Sequence, residues 1–316
     1  MSESVLVIGA ANFDVKGRMT HAPVMRSSNP AVIRTSLGGV ARNIAINLAR
    51  LHAPVTLITA VGDDHAGHEL LAEAKREGVD ISHTRIIPGE VTGTYLAALD
   101  SSGDVLLALD DLRVLRHITP EYLEKHHNAF RDCVMVAMDL NLSEAALETA
   151  IHIARRYNKR ICIDPTSATL SRKLRPHLPY VHVITPNIRE AEMLLGDVAI
   201  TTSADALSAA RQLVSRGVQI AVITQAERGA CYATEDESGQ FPALRIRIVD
   251  TTGAGDALTA SLIFGLINNF SISDALQLGI RAAALTLRST EAVSPDLSLD
   301  SLYGLDEENH HEQQGF

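Results

Sequence analysis

Two aspartates bracket a pair of glycines in Val249-Asp250-Thr251-Thr252-Gly253-Ala254-Gly255-Asp256. A Gly-x-Gly turn that opens a helix leaves the amides of Gly253, Ala254 and Gly255 free to converge on one anion, with the helix dipole behind them. Small residues let the backbone approach that anion closely. Asp256 then falls in the first helical turn. Phosphoryl transfer to an alcohol needs such a pairing: an amide cradle for the charge on the moving group, and a carboxylate to accept the hydroxyl proton. Taken alone, Asp256 reads equally well as an acid that steadies a helix start, and Asp250 as a turn former ending an apolar strand.

A second constellation is Leu37-Gly38-Gly39-Val40-Ala41-Arg42-Asn43. The glycine pair permits close approach at a helix start, and Asn43 lies one turn in. With Asn12 and Asp14, it gathers neutral donors, acceptors and one carboxylate, a set suited to the vicinal hydroxyls of a sugar. The plainer reading is a glycine turn followed by a surface asparagine. Asn187-Ile188-Arg189-Glu190 also has two readings, a capping box or a helix start that faces phosphate. Asp63-Asp64-His65 with His68 reads as a loop leading into a helix rather than a metal cluster. Gly9-Ala10-Ala11-Asn12-Phe13-Asp14 lacks the Gly-x-Gly-x-x-Gly of a dinucleotide fold.

The elements that must position these groups follow a rhythm. Apolar strand-like runs at 5–9, 55–59, 133–138, 160–163, 181–184 and 220–224 alternate with helical patterns, among them 254–266 and 273–287. The alternation predicts an α/β domain whose mostly parallel sheet is covered by helices on both sides. Residues 94–99 and 105–109 flank Asp100-Ser101-Ser102-Gly103-Asp104 and predict a β-hairpin, with further strands from 13–36. A small sheet inserted there is either a lid over a ligand crevice or an edge decoration. One domain is expected over 1–305, its lid drawn from 13–36 and 86–112. Residues 306–316, with His310 and His311, read as a flexible tail.

Composition narrows the class. Of 316 residues, 46% are hydrophobic and 21% charged, enough for a sizeable core. No window approaches the roughly 18 apolar residues of a membrane span. The N-terminus, MSESVLVIGA, carries no basic leader, so the cytoplasm is the expected location. A net charge of −10 argues against a nucleic-acid partner but not against a nucleotide held by local amides and a metal. Cys133, Cys162 and Cys231 are scattered through apolar runs and are expected as core thiols.

The two glycine constellations together resemble the signature regions of the ribokinase-like, or PfkB, family of carbohydrate and nucleoside kinases. The resemblance runs from Val5 to about Pro295. It implies a ribokinase-like three-layer α/β/α domain with a small β-sheet lid. It implies Asp256 as catalytic base and Gly253, Ala254 and Gly255 as the anion hole. Asn12, Asp14, Gly38, Gly39 and Asn43 would contact the sugar. ATP would lie against Asn187, Thr224, Gly229 and the anion hole, with Mg2+ near Asn187 and Glu190 through water and phosphate. K+ is a further expectation, at Asp250 and the Thr252 carbonyl, with residues 289–291 as a second wall. One departure stands in Thr224-Gln225-Ala226-Glu227-Arg228-Gly229, where the family has glycine at the position of Ala226. If that position takes a positive φ, alanine costs roughly 1 kcal/mol or shifts the loop.

Within the family, Ser28-Asn29-Pro30, Pro88-Gly89-Glu90-Val91-Thr92, Ile118-Thr119-Pro120-Glu121-Tyr122-Leu123 and Pro295-Asp296-Leu297-Ser298 resemble the pseudouridine kinase branch. That branch implies phosphorylation of a nucleoside 5′-hydroxyl and a glycosidase acting on the product, while the family as a whole implies a homodimer through the lid. With no tryptophan and 4% aromatics, the uracil edge is expected to be read by polar groups, namely Ser28, Asn29, Thr94 or Asp139. Asp111 is the candidate acceptor for the extra ring N–H of pseudouridine. Other sugar and nucleoside kinases, and a non-catalytic nucleoside sensor, remain alternatives.

Overall fold

Every residue of the first strand, Val5–Ile8, is buried, because the strand is sandwiched on both faces. It runs parallel between Val55–Ile58 and Met135–Asp139. Its alternating side chains divide between two cores. Leu6 and Ile8 join the core under the helices Glu144–Arg156, Ile188–Leu195 and Ser203–Ser215. Val5 and Val7 join the core under Val40–Arg50, Ala254–Ile267 and Ile272–Leu287. The result is the three-layer α/β/α arrangement. The structure, a computed structural model, describes residues 4–305, so the tail expected at 306–316 lies outside the described residues.

The central sheet has eight strands. From Val55–Ile58 it continues through Val5–Ile8, Met135–Asp139, Arg160–Asp164, Val183–Ile184 and Ile220–Thr224, all parallel. Two antiparallel strands, Ala230–Ala233 and Ser238–Phe241, complete one edge. The parallel strands all end on the same side, which brings Asn141, Thr166 and Ser167, just after the strands Met135–Asp139 and Arg160–Asp164, to one crevice.

A second sheet of four strands stands over that crevice, in the order Ala31–Gly38, Asn12–Met19, Thr94–Leu99, Val105–Asp111. The hairpin of 94–111 forms as its turn sequence predicts, with Asp100 accepting the amides of Gly103 and Asp104. One expectation is corrected. The apolar run expected to end as a strand at Asp250 is not one; Ile248 and Val249 are 57% and 52% exposed and line the crevice. Cys133, Cys162 and Cys231 are buried free thiols.

Candidate active site

The crevice between lid and strand ends has a volume of about 1840 Å³. Asn12, Asp14, Gly39, Asn43, Asp250 and Asp256 all line it, so the two glycine constellations meet there. Gly39 starts the helix Val40–Arg50 at φ 102°, and a Cβ on it would lie 2.5 Å from the Ala10 carbonyl. A side chain at Gly38 would collide with the Asp14 carboxylate, so the first glycine makes room for that acid. Asn12 Nδ2 donates to Asp14 Oδ1 at 2.5 Å. Burial pushes the Asp14 carboxyl up to about 6 against the pull of Lys16 and Asn12.

Gly253 opens the helix Ala254–Ile267 in the left-handed region, at φ 77°, and no side chain caps that helix. The Ala292 carbonyl packs so tightly on Gly253 that any Cβ would overlap it. Its first-turn amides are therefore open to a ligand, with Ala254 and Gly255 in that turn. The helix is apolar around most of its circumference and buried from Asp256 onward, which fixes Asp256 in place. Asn43 Nδ2 donates to Asp256 Oδ2 at 2.8 Å. The orientation of that amide is set from behind: Arg42, 3% exposed, donates to Asn43 Oδ1 at 2.8 Å and pairs with Glu73. Burial raises the Asp256 carboxyl to about 7, with Asp139 and Asp14 adding to the rise and Asn43 opposing it.

Outside the lining of this crevice, Asn187 and Glu190 form a complete capping box. Just before them, the Thr185 hydroxyl lies 2.9 Å from that of Thr259 in the helix Ala254–Ile267. Thr224 bridges to Asn187 at the ends of two neighbouring interior strands. Ala226 does adopt a positive φ, 52°, the conformation in which alanine is strained. Gly229 at φ 90° packs against the Phe241 carbonyl, a contact that leaves no room for a side chain. Asp164, absent from the sequence-based set, sits among these groups. Burial and the charges of Asp256, Glu190 and Asp139 raise its carboxyl well above the usual range. The Thr166 amide donates to Asp164 and the Asn187 amide to Glu190, and among the described residues no group of three or more His, Cys, Asp or Glu side chains is placed to hold a metal ion by itself.

Several sequence candidates stand elsewhere. Asp139 is fully buried and accepts the amides of Ala10, Ala41 and Asn141, so it braces the segment at Ala10 against the start of the helix Val40–Arg50 instead of facing the crevice. Ser28 and Asn29 lie in an exposed lid turn, where Asn29 bonds to Val24 and Ser27. Thr94 and Asp111 pair with each other on the lid face turned away from Asp14, and Asp111 is engaged by Arg113 at 2.6 Å. Their neighbours Tyr95 and Asp110, in register with Asp14, line the crevice instead. Lys16 and Arg18 line it too. The alternation Asn12, Asp14, Lys16, Arg18 places all four on one strand face and was the available signal for the last two.

With this geometry in view, the chain can be set beside known proteins. Residues 2–298 match the pfkB family of carbohydrate kinases. A pseudouridine kinase of Escherichia coli (strain K12) is 33% identical, covering 95% of this chain and 96% of its own length. A guanosine-inosine kinase of Exiguobacterium acetylicum is 31% identical, covering 94% and 99%. The solved structure of Arabidopsis thaliana ribokinase, complexed with ribose and ATP, superposes with a TM-score of 0.84 at 22% identity, covering 96% of this chain and 99% of that one.

Proposed function

The chain belongs to the pfkB family of carbohydrate kinases, and from that premise we propose that it transfers the γ-phosphoryl group of ATP to the 5′-hydroxyl of pseudouridine. The observation that carries the phosphotransfer reading is the Asn43–Asp256 hydrogen bond, which joins a sugar-side loop to a carboxylate beside an uncapped helix start.

The chain's own groups divide the work. Asn12, Asp14, Gly39 and Asn43 hold the ribose hydroxyls, which brings the 5′-hydroxyl to Asp256. Asp256 accepts the hydroxyl proton late in a loose transition state, when the alcohol has become acidic, so its orientation matters more than its basicity. The amides of Gly253, Ala254 and Gly255 receive the charge on the phosphoryl oxygens. The nucleotide lies toward Asn187, Thr224 and Gly229. Asp164 and Glu190 would hold Mg2+ through water and phosphate, and that ion would neutralise phosphate charge.

Base choice belongs to the lid. Tyr95 and Asp110 replace Thr94 and Asp111 as the groups suited to a nucleobase edge, since their strand register turns them toward the crevice. The 33% identity to a pseudouridine kinase over nearly the full length favours that nucleoside. The 31% identity to a guanosine-inosine kinase makes other nucleosides the direct competitors. A second lid property supports a homodimer. Ile33, Leu96, Leu107 and Leu109 share the outer lid face and are each 45–61% exposed, a patch suited to a second copy. The product would feed a glycosidase acting on the C-nucleotide. Among the described residues no helix is long and apolar enough to cross a membrane.

A substrate panel of pseudouridine, uridine, adenosine, guanosine, inosine and ribose with ATP and Mg2+ tests this reading. The highest kcat/KM is expected on pseudouridine. Equal or greater kcat/KM on uridine would overturn the specific claim. Binding of a nucleoside without turnover of any acceptor would favour the sensor.

A further inference from the structure

The resemblance to the kinase family leads to the expectation of K+ at Asp250 and Thr252, and these residues do not fit it. The Lys16 ammonium, carried by the lid strand Asn12–Met19, lies 3.2 and 3.4 Å from the two Asp250 carboxylate oxygens. It also donates to Thr252 Oγ1. A second cation at that carboxylate would meet a like charge already in hydrogen-bond contact with it.

We propose that Lys16 is the resident cation of the anion-hole loop, occupying the place of a monovalent metal ion, so that phosphoryl transfer by this chain needs no K+. This rests on the kinase reading of that loop. The geometry gives the charge a positioning task. Asp250 Oδ1 also accepts the Thr252 amide at 2.9 Å, so one carboxylate shapes the turn that leads directly into Gly253. Lys16 grips both ends of that turn, and the amides that follow are the phosphate cradle.

Three observations separate this contact from an ordinary surface ion pair, which contributes little. The two residues lie 234 positions apart and join separate sheets and loops, so the contact exists only when the lid is over the crevice. Lys16 and Asp250 are 17% and 27% exposed, sheltered by the crevice walls. Lys16 also stands two residues from Asp14 on the same strand face, so the sugar contact and the loop clamp move as one rigid piece. In the strand register Arg34 lies beside Lys16, and Glu291 lines the same crevice.

Thermal melts in KCl and in tetramethylammonium chloride of equal ionic strength test the proposal independently of turnover, and initial rates on the best acceptor of the panel test it in catalysis. The wild-type chain is expected to melt at the same temperature in both salts and to turn over at rates within about twofold of each other. Lys16→Met vacates Asp250. It is expected to gain a K+-specific rise in Tm of about 2 °C or more and to lose at least about tenfold in kcat without K+, with KCl restoring part of that loss. Lys16→Arg is expected to remain insensitive to K+. A K+-specific rise in the wild-type Tm, or a Lys16→Met chain with neither K+ stabilisation nor loss of kcat, would overturn the proposal. Melts that follow the expectation in a chain that phosphorylates no acceptor would instead count against the kinase reading alone.

Discussion

Asn43 and Asp256, 213 residues apart in the chain, share a hydrogen bond of 2.8 Å across the floor of the crevice. Arg42 holds the carbonyl end of the same amide, so Asn43 has only its NH2 to offer, and Asp256 must accept. A carboxylate held as an acceptor on one oxygen keeps the other for a substrate hydroxyl. Two consequences of that contact, and two expectations for Gly255 and Ala226, can be measured.

Replacing the base should separate binding from turnover. Asp256→Asn keeps the size of the side chain and an acceptor for Asn43. Turnover is expected to fall by about 10²–10⁴-fold, the range for removal of a general base. Nucleoside affinity by calorimetry should change little, and unchanged turnover would refute the assigned role.

Acidity should reveal the same carboxylate. With its folded-state value raised to about 7, Asp256 is protonated and idle in the free enzyme at lower pH. The kcat/KM profile is expected to fall about tenfold per pH unit below that value. Stability carries the opposite sign. Ionising Asp256 is disfavoured in the folded chain relative to the unfolded one, so stability contributed by this group is full below about pH 4 and declines as pH rises toward 7. Asparagine has no such penalty. Asp256→Asn should therefore be the more stable chain at pH 8, by on the order of 1–4 kcal/mol, with the advantage shrinking toward pH 4.

Gly255 offers a test in which stability and activity move apart. A Cβ built on it meets nothing within 4 Å, and the residue lies in the first turn of the central helix at an ordinary φ. Gly255→Ala is expected to fold normally and to gain up to about 1 kcal/mol from helix propensity. Its methyl would project where the phosphate must approach, so kcat/KM for ATP should drop at least about 100-fold. Retained activity would remove Gly255 from the anion hole.

Ala226, by contrast, should be improvable. Its φ of 52° is one that alanine adopts at a cost and glycine does not. Ala226→Gly is expected to raise stability by about 0.5–1 kcal/mol in denaturant unfolding, even though glycine loses more chain entropy. A loss of stability would mean that the loop has relaxed around alanine.

Much of this was legible in the chain because it depends on local chemistry. Gly38-Gly39, Asn43 and the run from Asp250 to Asp256 are spaced by helix starts and tight turns, and such geometry is written in consecutive residues. The alternation of apolar runs predicted the layers for the same reason, since a strand buried on both faces must be apolar at every position. The capping box at Asn187 and Glu190 was likewise readable from a three-residue interval.

The lid was legible only in outline. Its hairpin is announced by Asp100 to Asp104, but the face that each residue presents depends on strand register, and a shift of one position exchanges the faces. Hence Thr94 and Asp111 read plausibly from sequence, while Tyr95 and Asp110 line the crevice. Asp139 misled for a related reason: a carboxylate at a strand end looks available until three backbone amides are seen to surround it.

By itself the sequence determined the family and the layered domain and singled out the glycine loop before Asp256, all of which rest on spacings of a few residues. The tertiary structure alone decided which groups meet across the crevice: Asn43 with Asp256, Arg42 with Glu73, and Lys16 with Asp250. Those contacts join segments from 31 to 234 residues apart, and the packing of sheets and helices, rather than any local preference, sets the distances between them.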